Sequence, residues 1–329
     1  MKTVYRYFLS LVLLSLFAID SYGAKGSPTV EFVSISPDGT QLAAVIRNGN
    51  RSSIYLVSVE SGQAQRLTKS QDGDELTPSF SADGKQIAFV WLPASAKHSQ
   101  ISIVNTDGSD LRRWPTSEGS PSTPVFTPDG KKIVFRSSGW YGHYSPIAAP
   151  RPHGWDYFIA NLDGSSVQQL TQNRFYDVSP PSVSPDGKLV LVVTEDSHVG
   201  QYFATYSVED GKLLSSFRPH LPHKEDNDGP ILDNPVFLPD GKKFLFMAAD
   251  QSKFEFSYEV YLSELGSSTV TQMTNRNGYA AGLTVSADGK RAAYLKTRFD
   301  LLGKPKETKI YLLDVPSRTA TPLEVSVLP

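Results

Sequence analysis

A Ser/Thr/Leu-Pro/Ala-Asp-Gly turn recurs six times along this chain, and each copy runs straight into a short apolar strand. The copies span Ser34 to Val45, Ser79 to Val90, Val125 to Phe135, Ser182 to Val193, Val236 to Met247 and Thr284 to Leu295. Their glycines fall at 39, 84, 130, 187, 241 and 289, so the spacings are 45, 46, 57, 54 and 48 residues. A period of that size built only from strands points to a radially repeated β-propeller. The expected fold is therefore all-β: a six-bladed β-propeller with four antiparallel strands per blade. It is expected to occupy residues 24–329 as a single unit, with blades at about 30–69, 74–117, 122–172, 178–219, 233–275 and 280–327.

Two kinds of hairpin alternate within each repeat. In the first, proline presets φ at the first central position of the turn and glycine accepts the left-handed conformation that closes it. The second joins the third and fourth strands, at Ser61-Gly62, Asp107-Gly108, Asp163-Gly164 and Asp210-Gly211, with Gly266 and Pro316-Ser317 in the last two repeats. The turn geometry accounts for these aspartates, so they are read as structural and not as catalytic carboxylates. The first repeat begins with its inner strand, Val30 to Ser36, and the last ends with its outer strand, Thr319 to Val325. Each blade is then contiguous in sequence, with no strand swap at closure, and the ring is expected to close by packing of blade six on blade one.

The first 23 residues differ in kind. Lys2 and Arg6 precede an apolar run from Phe8 to Ile19, and Ser21 and Gly23 stand at the −3 and −1 positions before Ala24. This pattern reads as a secretory signal peptide cleaved after Gly23, leaving no membrane span in the mature chain. The chain has no cysteine. Export without disulfides fits a periplasmic or secreted bacterial protein, here expected to be a monomer. A formal net charge of −2 excludes the basic excess of a nucleic-acid binder.

The Ser-Pro-Asp-Gly-Lys core, preceded by Leu67-Thr68, Leu170-Thr171 or Met273-Thr274, resembles the WD-like repeats of TolB-like six-bladed propellers. The resemblance runs from Val30 to about Val327, without the N-terminal α/β domain that precedes the propeller in TolB. It implies a protein or peptide partner in the cell envelope, bound at the mouth of the channel. Similar repeats occur in prolyl-oligopeptidase-type hydrolases, but no Gly-x-Ser-x-Gly nucleophile elbow occurs in this sequence.

Strand direction places all the Asp-Gly hairpins on one face of the ring. The loops between second and third strands, and the links between blades, fall on the other. The long spacings locate two insertions on that second face. One, Gly139 to Trp155 in blade three, carries Trp140, Tyr141, His143, Tyr144, Arg151 and His153. The other, Arg218 to Pro230 between blades four and five, carries His220, His223, Asp226 and Asp228. With His98 and His198, all six histidines are expected on this face.

Aromatic rings beside Arg151 suit a protein anchor or a stacked carbohydrate. Trp155 is expected to be core, and Trp140 and Tyr141 exposed. His220 and His223 with Asp226 or Asp228 are the candidate ligands of a divalent metal, zinc or manganese by their imidazole and carboxylate groups. Asp226-x-Asp228-Gly229 also resembles the start of a calcium loop, though the glutamate expected at its twelfth position is absent. The reading adopted is an exported interaction module with no assigned catalytic residue. The alternative is a propeller enzyme, a polysaccharide lyase or hydrolase, with a histidine and carboxylate site on the same face. The inner strands offer Asp74 and Asp177 at equivalent positions, but Ser120 and Gly278 interrupt any acidic ring.

Overall fold

The computed structural model describes residues 28–328 apart from 70–71, 95–97, 116–118, 143–150, 176–177, 197–199, 222–229, 251–256, 276–277 and 300–304. Blade one is β1 (Thr29–Ile35), β2 (Gln41–Asn48), β3 (Arg51–Ser58) and β4 (Gln63–Arg66). Blade two is β5 (Gly73–Phe80), β6 (Gln86–Pro93), β7 (Gln100–Asn105) and β8 (Arg112–Arg113). Blade three is β9 (Ser120–Phe126), β10 (Lys132–Gly142), β11 (Arg151–Asn161) and β12 (Gln168–Gln169). Blade four is β13 (Ser182–Val183), β14 (Leu189–Asp196), β15 (Gly200–Ser207) and β16 (Leu213–Phe217). Blade five is β17 (Ile231–Phe237), β18 (Lys243–Asp250), β19 (Ser257–Glu264) and β20 (Val270–Gln272). Blade six is β21 (Tyr279–Val285), β22 (Arg291–Phe299), β23 (Pro305–Asp314) and β24 (Thr319–Leu323). A last short strand, β25 (Ser326–Val327), follows.

Within every blade the strands pair antiparallel in sequence order, giving the expected six-bladed propeller. Six apolar clusters hold it, one at each seam between neighbouring blades. Phe89 and Ile54 meet between blades two and one, and Phe244 and Phe203 between five and four. At the closing seam Leu295 and Ile310 pack with Val33 and Ile46. Strand alternation explains this. Each blade is buried on both faces, so both sets of alternating side chains are apolar along the middle strands. No helix among the described residues is long and apolar enough to cross a membrane.

Closure corrects one expectation. The four antiparallel strands of each blade are contiguous, but packing is not all that joins blade six to blade one. β25 crosses the seam and lies parallel beside β4, pairing Ser326 with Gln63 and Val327 with Ala64. The Ser326 N–H donates to Gly62 O at 2.9 Å, and Leu328 N–H to Ala64 O at 3.0 Å. Blade one is thus five-stranded. A two-residue strand is too short to leave a periodic signal, which is why sequence reading ended the last blade at its outer strand.

The Pro-Asp-Gly turns have a second job. Their glycines adopt φ between 65° and 73°, and each aspartate caps its turn, as when Asp38 accepts from Ser36 Oγ at 2.5 Å and Thr40 N at 3.0 Å. These bonds to the ionised form hold the Asp38 carboxyl below its ordinary value. The turns also touch around the ring. A Cβ on Gly84 would meet Pro37 Cδ of the preceding blade at 3.5 Å, and Gly187 and Gly241 stand in the same relation to Pro128 and Pro185. Where the preceding turn carries Ala82 in place of proline, Gly130 has nothing within 4 Å.

Ala82→Pro should therefore raise stability by about 0.4–1 kcal/mol, because the geometry is already that of its proline-bearing siblings. Ala287→Pro should give no such gain. The Ala287 N–H donates to Pro37 O across the closing seam at 2.8 Å, and proline would remove that bond. Denaturant midpoints of the two variants against the parent chain check this, and equal gains would overturn it.

Candidate functional site

In blade three the inserted segment begins and ends as sheet. β10 and β11 each run for 11 residues, against 8 for β2, β3, β14, β15, β18 and β19. Their register continues to Trp140 opposite His153, Tyr141 opposite Pro152 and Gly142 opposite Arg151. The ends of the insertion are therefore a β-hairpin arm rising from the loop face. Its base is anchored. Trp155 is buried, as expected, and the Arg136 guanidinium lies 4.9 Å from its ring centroid and donates to Val178 O. Asp156 accepts from Thr171 Oγ1 and Asn173 N, both at 2.8 Å, tying the arm to the link toward blade four.

The described histidines of the candidate set are not brought together. His153 is buried in β11. His220 is exposed beyond β16, and its backbone N–H donates to Ser268 O in the β19–β20 turn at 2.7 Å. His98, in the blade-two loop, has Nδ1 3.2 Å from Gly119 O. Trp140, Tyr141 and Arg151 are described as strand residues only. His143, Tyr144, His198, His223, Asp226, Asp228 and Asp177 lie outside the described residues. Among the described residues no group of three or more histidines and carboxylates could hold a metal ion. Asp74 serves the joint between blades: it accepts from Ser52 N at 2.9 Å and faces Arg47 at 3.5 Å.

Three buried carboxylates that sequence reading did not single out give the Leu-Thr signature its physical meaning. Thr68, Thr171 and Thr274 each accept from the third strand, from Ile54 N at 3.1 Å, Tyr157 N at 3.0 Å and Val260 N at 2.9 Å. Each hydroxyl then donates to a carboxylate: Glu75, Asp156 and Glu259 respectively. Asp156 and Glu259 sit on the third strand of the same blade, whereas Glu75 comes from the inner strand of the next. Asp156 and Glu259 each stand 15 residues before their threonine, a spacing that could have flagged those two, but blade one has Ser53 at that position and takes Glu75 from the next blade.

Glu75 is wholly buried, and burial pushes its carboxyl above the usual glutamate value against the bonds from Thr68 and Ile54 and the charges of Arg66 and Arg113. A carboxyl raised in the folded state binds more protons folded than unfolded. Its contribution is complete below the ordinary glutamate range and is lost as pH rises through the elevated value. Glu75→Gln should flatten this part of the pH–stability curve, seen as a smaller loss of melting temperature between acid and neutral pH. An unchanged slope would show that Glu75 titrates normally.

An aromatic run at the seam of blades five and six also escaped notice. Tyr258, Tyr279 and Phe299 step from core to surface, with ring centroids 4.9 and 6.3 Å apart. The three lie 41 residues apart in sequence at the extremes, so only the fold assembles them.

The architecture defines a six-bladed β-propeller of the Pro-Asp-Gly repeat kind, with lengthened, paired middle strands in blade three. A family model described as the TolB beta propeller domain matches residues 22–148. The Tol-Pal system protein TolB of Francisella tularensis subsp. mediasiatica is 30% identical over 184 residues, 55% of this chain and 39% of that protein. The chain thus aligns with about two fifths of the length of that relative. Among solved structures, TolB from Acinetobacter baumannii superposes with a TM-score of 0.60 at 17% identity, over 93% of this chain and 66% of that one. Oligogalacturonate lyase from Vibrio parahaemolyticus gives 0.55 at 15% identity, over 91% and 86%. At these identities the structural matches speak for the fold alone. The chain is thus a six-bladed β-propeller whose residues 22–148 are similar to the TolB propeller domain.

Proposed function

We propose that this chain is an exported interaction module of the cell envelope, periplasmic or secreted, that binds a protein or peptide partner through its loop face. The observation that carries the reading is the blade-three arm. It extends a paired strand edge beyond the ring, with Trp140, Tyr141 and Arg151 in consecutive register pairs. Aromatic residues and arginine are the residue types that dominate protein interfaces. The relatives named for the Tol-Pal system support an envelope setting, as does the signal-like N-terminus.

A photoreactive amino acid placed at Tyr141 should crosslink a defined envelope protein in living cells. The same group at Lys131, on the hairpin face, should not. Equal adducts from both positions, or none from Tyr141, would refute the reading. Metal analysis of the purified mature protein addresses His220, His223, Asp226 and Asp228. A stoichiometric transition metal, zinc or manganese, would favour the enzyme alternative.

A further inference from the structure

The seam between blades one and two holds a second, separate arrangement. Register places Glu75 opposite Trp91, and Ser102 opposite both Phe89 and Arg113. Opposed residues share a sheet face, as do residues two apart, so Glu75, Trp91, Ser102 and Arg113 all face blade one. The Arg113 guanidinium lies 4.1 Å from the Trp91 ring centroid. Arg66 reaches the same seam from β4, fixed by bonds to Thr68 O at 2.7 Å and Ser53 Oγ at 2.9 Å. Both guanidinium charges act on the buried Glu75 carboxyl.

Arg113 makes no hydrogen bond among the described residues, although stacking restrains its donors. Glu75 gives one oxygen to Thr68 and Ile54, while its Oε1 and the Ser102 hydroxyl are buried with no hydrogen-bond partner. The neighbouring Arg112 is already engaged with Asp110 at 3.2 Å. Two guanidinium groups, both on solvent-exposed arginines, thus act on one deeply buried carboxyl.

We propose that this seam is a carboxylate-binding site, in which Arg113, held over Trp91, takes an external carboxylate through two parallel N–H···O bonds while Arg66 adds charge behind it. A stacked guanidinium has the planar fork that matches a carboxylate, which a lysine ammonium lacks. The site is independent of the blade-three arm, and its failure would leave the arm's assignment untouched. An acidic side chain and a chain terminus of a partner both present such a carboxylate.

Two dye-labelled peptides separate these sources: hexaglutamate amidated at its C-terminus, and a Gly-Ser hexapeptide with a free C-terminal carboxylate. Fluorescence anisotropy with the full chain should show binding of at least one, and which one binds assigns the source. Arg113→Ala and Arg113→Lys should each weaken it on the order of tenfold or more, and Arg113→Lys, which keeps the positive charge, should do so while remaining folded by its melting transition. Binding of neither peptide would overturn the proposal. So would full binding by Arg113→Lys, which would mean a point charge and not a fork. Displacement by inorganic phosphate at lower concentration than by glutarate would likewise overturn it, assigning the seam to phosphoryl groups.

Discussion

Gly62→Ala is expected to cost several times more stability than Gly49→Ala, although both glycines hold similar left-handed conformations, at φ 68° and 61°. The backbone penalty for a side chain there is about 1 kcal/mol or slightly more at either site. The surroundings differ. A Cβ on Gly49 meets nothing within 4 Å, whereas one on Gly62 would fall 1.9 Å from Glu324 O, in the link between β24 and β25. Backbone cannot rotate aside as a side chain can, so the closing strand must shift. The shift would strain the bond from Ser326 N–H to Gly62 O and the packing of Leu323, Val325 and Val327 on the closing-seam cluster. The excess over Gly49→Ala should be about 2 kcal/mol or more. Hydrogen exchange gives a sharper readout, because the Leu328 amide, bonded to Ala64 O, should lose protection in Gly62→Ala and keep it in Gly49→Ala. Equal destabilisation by the two substitutions would mean that β25 contributes nothing to closure.

The same strand marks where the sequence stopped being legible. Six turns of fixed chemistry and strands of period 2 were enough to specify blade number, strand order and hairpin faces, because a propeller repeats one local solution. What escaped was whatever each blade does differently. Thr77, Thr123, Asn234 and Gly282 all stand seven residues before the turn glycine, and all adopt positive φ, from 47° to 67°. They bulge the inner strand of blades two, three, five and six, where its register slips. Only Gly282 and Asn234 are residue types that announce such a conformation. A β-branched threonine at φ 47° is imposed by its surroundings, which local propensity does not encode.

The functional face divided in the same way. The insertion in blade three was visible as an irregular spacing, and Trp155 was correctly read as core from its place in a strand. The sheet character of the arm was not visible, because Gly139, Gly142 and Pro152 weaken any strand pattern. Nor was the stack of Arg113 on Trp91. Those residues lie on β8 and β6, and only the pairing of both strands with β7 brings their side chains onto one face. The histidines share an expected face by the loops that carry them, yet of the two described members of the candidate set one is buried in β11 and the other exposed beside blade five. A common face follows from strand direction, while a shared site depends on contacts between blades.

Lys296→Met should be the most damaging single substitution at the seam of blades five and six. Lys296 and Glu259 form an ion pair at 3.6 Å with side chains only 4% and 9% exposed. Glu259 also accepts from Thr274, whose hydroxyl receives Val260 N–H, so the charge is wired into the third strand of blade five. Space for the lysine depends on Gly278, where a Cβ would come 2.8 Å from Lys296 Cε. Removing the cation leaves a desolvated carboxylate without its counter-charge, a loss of about 3–5 kcal/mol. Replacing the pair together, as Lys296→Met with Glu259→Gln, should recover much of that loss, since glutamine can still accept from Thr274. Denaturant unfolding should show a lowered midpoint at unchanged slope for the single variant and a partial return for the double. A cost below about 1 kcal/mol for Lys296→Met would mean that water reaches the pair. In that event the seam between blades five and six would be an opening cleft and not a sealed joint.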